Sequence, residues 1–347
     1  MADLRTTYMG VELANPIVVG ACSLSKRIDT IKKIEAAGVG GLVLKSLFEE
    51  QVQLEMAEFE QQLGQYDALY AEAVNLFPNL EYGGPKEHVY WIAQARKAVE
   101  MPLFASLNAV NDDVWVDYAK QLAETGVNGL ELNFYSLPLD PAMSSADIEK
   151  KELEVFARVR EVVKIPLAVK LHPYYTSMLN VASEFSKLGA DSVVLFNRLW
   201  QPDIDVQQEE ETAQLVLSSS SDAQVALRWT GLLFKQIEAE IVANTGIMDG
   251  TDVIKAILAG ATNVQVVSTL YKNKLTHVRD MVDELSTWMD GKGYKDLAAF
   301  RGKLAKQNKT PAPLFTKEQT KDTAGQSADW RTKGAVTYVK NQGQCGW

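Results

Sequence analysis

Eight short runs rich in Val, Ile and Leu recur along the chain, at 16–19, 41–44, 102–105, 129–133, 166–171, 192–196, 240–243 and 263–267. They are apolar without strict alternation, as strands buried on both faces must be. Between or after most of them lie stretches with helical spacing of apolar residues: 29–37, 88–99, 113–125, 148–163, 178–188, 252–258 and 275–289. Strand and helix in alternation imply a parallel sheet. Eight such strands can close on themselves, so the expected fold is α/β, a (β/α)8 TIM barrel. Glycine-containing joints at 36–40, 125–127, 188–191 and 259–262 fall between a helix and the next strand, where a left-handed glycine cap is expected.

Such a barrel needs roughly 250 residues, and the chain has 347. The surplus must be rim insertions and a tail. Two long interruptions, Phe48 to Lys86 and Leu199 to Arg228, follow the second and sixth strands. Long segments there belong to lids, binding loops or oligomer contacts. After Pro311 the chain turns polar and loses helical periodicity. The expected domains are therefore a barrel over 1–311 and an irregular, poorly ordered tail over 312–347.

Chemistry in these barrels sits at the carboxyl ends of the strands. Those ends read Ala21-Cys22-Ser23, Leu44-Lys45-Ser46, Ser106-Leu107-Asn108, Glu131-Leu132-Asn133, Val169-Lys170-Leu171, Phe196-Asn197-Arg198, Thr245-Gly246-Ile247 and Val267-Ser268-Thr269. Amide side chains offer paired donors and acceptors. Glycine lets backbone N–H groups approach a phosphate. The ends thus supply two lysines, three asparagines and a glycine to one mouth.

A net charge of −10 and the lack of clustered Lys and Arg argue against nucleic-acid binding. No apolar run reaches the ~20 residues that span a bilayer, and no secretory signal opens the chain. A cytoplasmic protein without membrane partners is expected. The two cysteines, Cys22 and Cys345, have no metal-ligand spacing, so no metal site is expected.

Over 1–302 the chain resembles the FMN-containing dihydroorotate dehydrogenase-like flavoprotein family. The resemblance is carried by Asn15-Pro16-Ile17, Lys45 to Gln51, Phe77-Pro78-Asn79, Glu131-Leu132-Asn133, Val169-Lys170-Leu171, the run from Leu195 to Asp205, Leu227-Arg228-Trp229 and Ala259-Gly260-Ala261. It implies FMN as cofactor, held by Ala21, Cys22, Lys45, Ser46, Asn108, Asn133, Lys170, Asn197, Gly246 and Ser268. Lys170 would stand by the pyrimidine edge of the flavin, where negative charge develops on reduction; a rim salt bridge is its other reading. Ser136 falls on the family's base position, and Lys45 serves the substrate or the ribityl chain. His172 is a conceivable proton relay.

The implied activity is oxidation of dihydroorotate or a similar dihydropyrimidine, with hydride transfer to flavin, in pyrimidine biosynthesis. A small-molecule substrate, a separate electron acceptor and a homodimer are implied as partners. The lack of an amphipathic extension before the barrel disfavours a quinone acceptor. Pro138 and Ala73 stand where the family pattern has asparagines, and Val267-Ser268 replaces a Gly-Thr pair. A flavoenzyme for a different substrate and a catalytically idle FMN- or phosphate-binding barrel therefore remain alternatives. The tail, over 328–347, is similar to the start of the papain-like cysteine protease domain. It stops at Cys345-Gly346-Trp347 without the nucleophile, which removes protease activity and points to a fusion or assembly artefact.

Overall fold

A computed structural model of the chain describes residues 2–48, 84–108, 112–134, 140–198, 203–212 and 217–305. Ser136 and Pro138, Ala73, the Phe77-Pro78-Asn79 turn, most of the Phe48 to Lys86 interruption and the 312–347 tail lie outside the described residues.

Eight parallel strands close into a barrel. In chain order they are β3 (Ile17–Val19), β4 (Gly41–Val43), β6 (Leu103–Asn108), β7 (Gly129–Asn133), β8 (Leu167–Leu171), β9 (Ser192–Leu195), β12 (Glu240–Asn244) and β13 (Asn263–Val266). Closure comes from two ladders, β13 with β3 and β4 with β6. A short strand, β5 (Leu47–Phe48), adds to the end of β6. The architecture expected from the alternating pattern is the one found.

Helices α1 (Ile28–Ala36), α2 (Gly84–Ala98), α3 (Asp112–Ala123), α4 (Ser145–Val162), α5 (Met178–Lys187), α6 (Ala223–Leu233), α7 (Gly250–Ala259), α8 (Ser268–Asn273) and α9 (His277–Lys292) accompany the strands. The start of α4 is set by a capping box, in which Ser144 and Asp147 satisfy each other's backbone N–H groups. The joints at Gly38, Gly126, Gly189 and Gly260 all have positive φ. Leu42, Leu132, Val169, Val193 and Ile241 join Ile92, Phe156 and Phe185 from the helices in one outer apolar layer. Burying each such side chain is worth ~1.5–3 kcal/mol, which is what holds helices to strands.

The barrel interior is a second apolar cluster, of Val18, Val43, Phe104, Ala168, Val194 and Val242. Tyr8, Met9 and Leu13 belong to it as well. They come from an antiparallel hairpin, β1 (Thr6–Tyr8) with β2 (Val11–Leu13), that the sequence pattern did not announce. Bonds from Thr6 Oγ1 to the Thr262 carbonyl and from Asn263 Nδ2 to the Thr7 carbonyl fix this hairpin at the amino ends of the barrel strands. The hairpin therefore plugs the end opposite the expected site.

The Leu199 to Arg228 interruption is more ordered than its polar composition suggests. It contains the hairpin β10 (Asp203–Asp205) with β11 (Glu210–Thr212). Its last six residues already belong to α6, which follows a turn closed by Ser219 and Asp222. Ala223, Ala226 and Leu233 are buried, and tertiary packing rather than local propensity carries that helix. Among the described residues no helix is long and apolar enough to cross a membrane.

Candidate functional site

Strand alternation aims residues i and i+2 at the same side, and on β7 this pair is Glu131 and Asn133. Register places Asn133 opposite Lys170 and Glu131 opposite Ser106 and Ala168. All four polar residues are buried. Asn133 Nδ2 donates to Ser46 Oγ and to Ser106 Oγ, each at 3.0 Å, and the two hydroxyls lie 2.8 Å apart. This triangle ties the ends of β4, β6 and β7 together. Asn133 Oδ1 is buried and has no partner among the described residues. Hydroxyls both donate and accept, so the triangle serves either orientation of the amide and leaves one amide end uncommitted.

Lys170 Nζ donates to Glu131 Oε1 at 3.2 Å and to Gln265 Oε1 at 3.1 Å. An ammonium has three donors, and among the described residues two of them are taken by these bonds. Glu131, with no exposure, also accepts from Tyr8 OH at 2.7 Å and from Gln265 Nε2. Burial first, and then the adjacent Glu131 charge, pushes the Tyr8 hydroxyl well above its usual range, so Tyr8 remains a donor. Of the two sequence readings for Lys170, the salt bridge exists, but inside the barrel rather than on the rim. It takes one of the three donors, and the Gln265 bond takes a second.

Other strand ends close the same mouth. Lys45 N–H donates to Ser25 Oγ, which donates to the Cys22 carbonyl, at 2.8 and 2.9 Å. Ala21 packs on the interior cluster. Burial pushes the Cys22 thiol up, and the Lys170 ammonium is close enough to oppose that shift. Asn108 is half-buried at the end of β6. Burial, and to a lesser degree the Lys45 cation, pushes His88 on α2 down to about 4. His88 Nε2 is buried without a partner among the described residues.

Asn197, half-buried, lines a cleft of about 250 Å³ with Tyr174, Phe196, Asp222, Asn244 and Thr245. Asn244 Nδ2 and Thr245 Oγ1 both donate to the Phe196 carbonyl, at 2.8 and 3.0 Å. His172 Nδ1 accepts the Tyr174 N–H at 3.1 Å, and its ring stacks on Tyr175 at 4.0 Å. Burial pushes this imidazole down to about 4. It is neutral near pH 7, with its proton on Nε2, and so acts as a hydrogen-bond donor.

Gly246 and Ser268 are brought together by a residue from the sixth-strand insertion. Ser218 N–H and Oγ reach Ser268 Oγ at 3.0 and 2.8 Å, and Gly246 N–H reaches Ser218 Oγ at 3.3 Å. Lys272 Nζ donates to the Ser218 carbonyl at 2.8 Å. Gly246 has φ +77°, and a Cβ there would stand 2.4 Å from Ala223 N and 2.7 Å from the Ser219 carbonyl. Only glycine fits. Backbone N–H groups, two hydroxyls and an ammonium form a neighbourhood suited to an anion.

Four participants were not singled out from the sequence: Tyr8, Glu131, Ser106 and Gln265. A detectable signal existed for two of them. Glu131 stands between leucines in a buried strand and Gln265 between valines, and polar residues on such strands must have partners.

A family model for dihydroorotate dehydrogenase matches residues 65–289, more than half of the chain. Relatives include the protein named dihydroorotate dehydrogenase B (NAD(+)), catalytic subunit, of Thermoplasma volcanium, 26% identical over 88% of this chain and 100% of the relative. The protein of the same name from Caldicellulosiruptor bescii is 23% identical over 87% of this chain and 99% of its own length. Dihydroorotate dehydrogenase A (fumarate) of Lactobacillus helveticus is 27% identical over 59% of this chain and 68% of its own. With the closed barrel and the polar mouth, the match over 65–289 identifies the chain as a member of the dihydroorotate dehydrogenase family.

Proposed function

We propose that this protein is an FMN-dependent oxidoreductase acting on a CH–CH group, which oxidises dihydroorotate or a similar dihydropyrimidine in pyrimidine biosynthesis. The observation that carries this reading is that Asn133, with one amide end uncommitted among the described residues, and Lys170, with two of its three donors used, are paired across β7 and β8. A flavin presents an imide edge, a ring N–H flanked by carbonyls, to which these groups are complementary. The residues present therefore fit the cofactor. Asn133 and Lys170 would hold the ring edge, Ser46 and Ser106 would brace Asn133, and Gly246 and Ser268, joined by Ser218, would face the phosphate. Ala21, Cys22, Lys45, Asn108 and Asn197 complete the proposed cofactor contacts.

FMN, when bound, supplies the acceptor for the hydrogen and electron pair leaving one substrate carbon, and a separate acceptor restores it. The chain must take the proton from the neighbouring carbon, and Ser136 is the proposed group. A serine hydroxyl is a weak base by itself, so a relayed water must receive that proton. Lys45 is the proposed partner for substrate charge, and the neutral His172 can donate a hydrogen bond.

The test is the visible spectrum of the purified protein, followed by anaerobic addition of dihydroorotate. Flavin bands that bleach support both cofactor and substrate. Persistent bands sink the substrate assignment and favour a second reading, another reduced substrate, which Pro138 and Ala73 already recommend. A colourless protein that takes up no added FMN refutes the cofactor assignment. Ser136→Ala should stop bleaching while sparing FMN uptake.

A further inference from the structure

Glu131 is fully buried in a barrel whose interior carries an apolar cluster. Val18, Val43, Phe104, Ala168, Val194 and Val242 belong to that cluster, yet a fully buried carboxylate is kept in the barrel with Tyr8, Gln265 and Lys170 as donors. Apolar side chains of similar volume in place of a buried ion pair are often neutral or stabilising, so stability alone gives little reason for the pair. Lysine is otherwise a flexible point charge on a long, rotamer-rich stem. Here its ammonium is fixed by two acceptors, 3.2 and 3.1 Å away, before any ligand arrives.

We propose that Glu131 is the positioning residue for Lys170, and that its negative charge sets how strongly the site favours reduced over oxidised FMN. Tyr8 acts through Glu131 by holding its carboxylate, and Gln265 holds both Glu131 and Lys170. This inference rests on the FMN reading above. A lysine alone at the ring edge would favour the more negative, reduced cofactor. A carboxylate 3.2 Å from that lysine offsets part of the effect. Glu131 thus moderates what Lys170 promotes, and Tyr8 ties the setting to the hairpin at the opposite end of the barrel.

The experiment measures dissociation constants for oxidised and reduced FMN, with the midpoint potential as a second readout, on the full chain and on Glu131→Gln, Glu131→Asp and Lys170→Met. Removing the Glu131 charge should raise the ratio of oxidised to reduced dissociation constants on the order of tenfold or more, as expected for one charge at close range. Lys170→Met should move the ratio the opposite way. Glu131→Asp, which withdraws the carboxylate by one methylene, should shift it in the same direction as Gln but less. It carries the test if the Gln variant does not fold.

A merely structural Glu131 predicts lowered stability with an unchanged ratio and potential, and that result overturns the proposal. So do shifts of the same sign for Glu131→Gln and Lys170→Met. A wild-type protein that binds no FMN overturns the functional reading itself, and this inference with it.

Discussion

Replacing Lys170 by methionine removes one ammonium and nothing else of comparable bulk, leaving Glu131 charged inside the barrel. The lost partner lies 3.2 Å from a carboxylate with side-chain exposure of 0%, and the lysine side chain is itself 7% exposed. Coulomb's law at that separation, with an effective dielectric of ~20, gives about 5 kcal/mol of attraction. Breaking a buried pair on one side costs ~3–5 kcal/mol, because the remaining charge is uncompensated. Gln265 Oε1 also loses its donor. The expected destabilisation of Lys170→Met is therefore about 4 kcal/mol, within the ~5–15 kcal/mol by which domains are stable. The double variant Lys170→Met with Glu131→Gln should recover at least half of that loss, since no lone buried charge remains. Urea unfolding of the FMN-free protein, followed by tryptophan fluorescence, reads both. A single-variant cost under about 1 kcal/mol, or strictly additive losses in the double variant, would refute the account of a tightly coupled buried pair.

Three further outcomes are expected. Gly246→Ala forces a side chain into a positive-φ position against Ala223 and Ser219, costing ~1–3 kcal/mol from backbone strain; the preference for FMN over riboflavin should collapse if this turn faces the phosphate, as competitive binding would show. His88 is held at about 4 against a usual 6.5, by burial first and Lys45 second. The unfolded chain therefore takes up a proton below pH 6.5 that the folded one refuses, so the stability from a neutral His88 is complete above pH 6.5 and is lost as pH falls toward 4. Wild type should lose roughly 2 kcal/mol more than His88→Phe between pH 7 and pH 5, measurable by urea unfolding at each pH; equal losses would contradict the assignment. Deleting residues 312–347 should leave both the barrel, read by circular dichroism, and FMN uptake intact, whereas an insoluble product would show that the tail belongs to the fold.

Several residues show how far the sequence could be followed. Lys170, Asn133, Ser46 and Gly246 were legible because each follows or ends an apolar run, and a closed parallel barrel gathers all such ends at one mouth. That Asn133 and Lys170 pair across β7 and β8 came only with the register of the closed barrel. For Ser218, in the polar turn from Ser218 to Ser221, the sequence allowed a place near a phosphate but did not give its partners. It lies in a long insertion, and its bonds to Ser268 and Gly246 span 50 and 28 residues. Tyr8 was hidden for a similar reason, lying 123 residues from the carboxylate it holds.

Hydrophobic periodicity determined the alternation of buried strands and helices that permits a closed (β/α)8 barrel, because the burial each strand and helix requires is written in its own residues. The family followed from short motifs at those strand ends. Only the tertiary structure decided that Lys170 is held inside the barrel by Glu131 and Gln265, that one end of the Asn133 amide is left open, and that His172 stands neutral. Those are properties of desolvation and of contacts between residues distant in sequence, and both come into being only when the barrel closes.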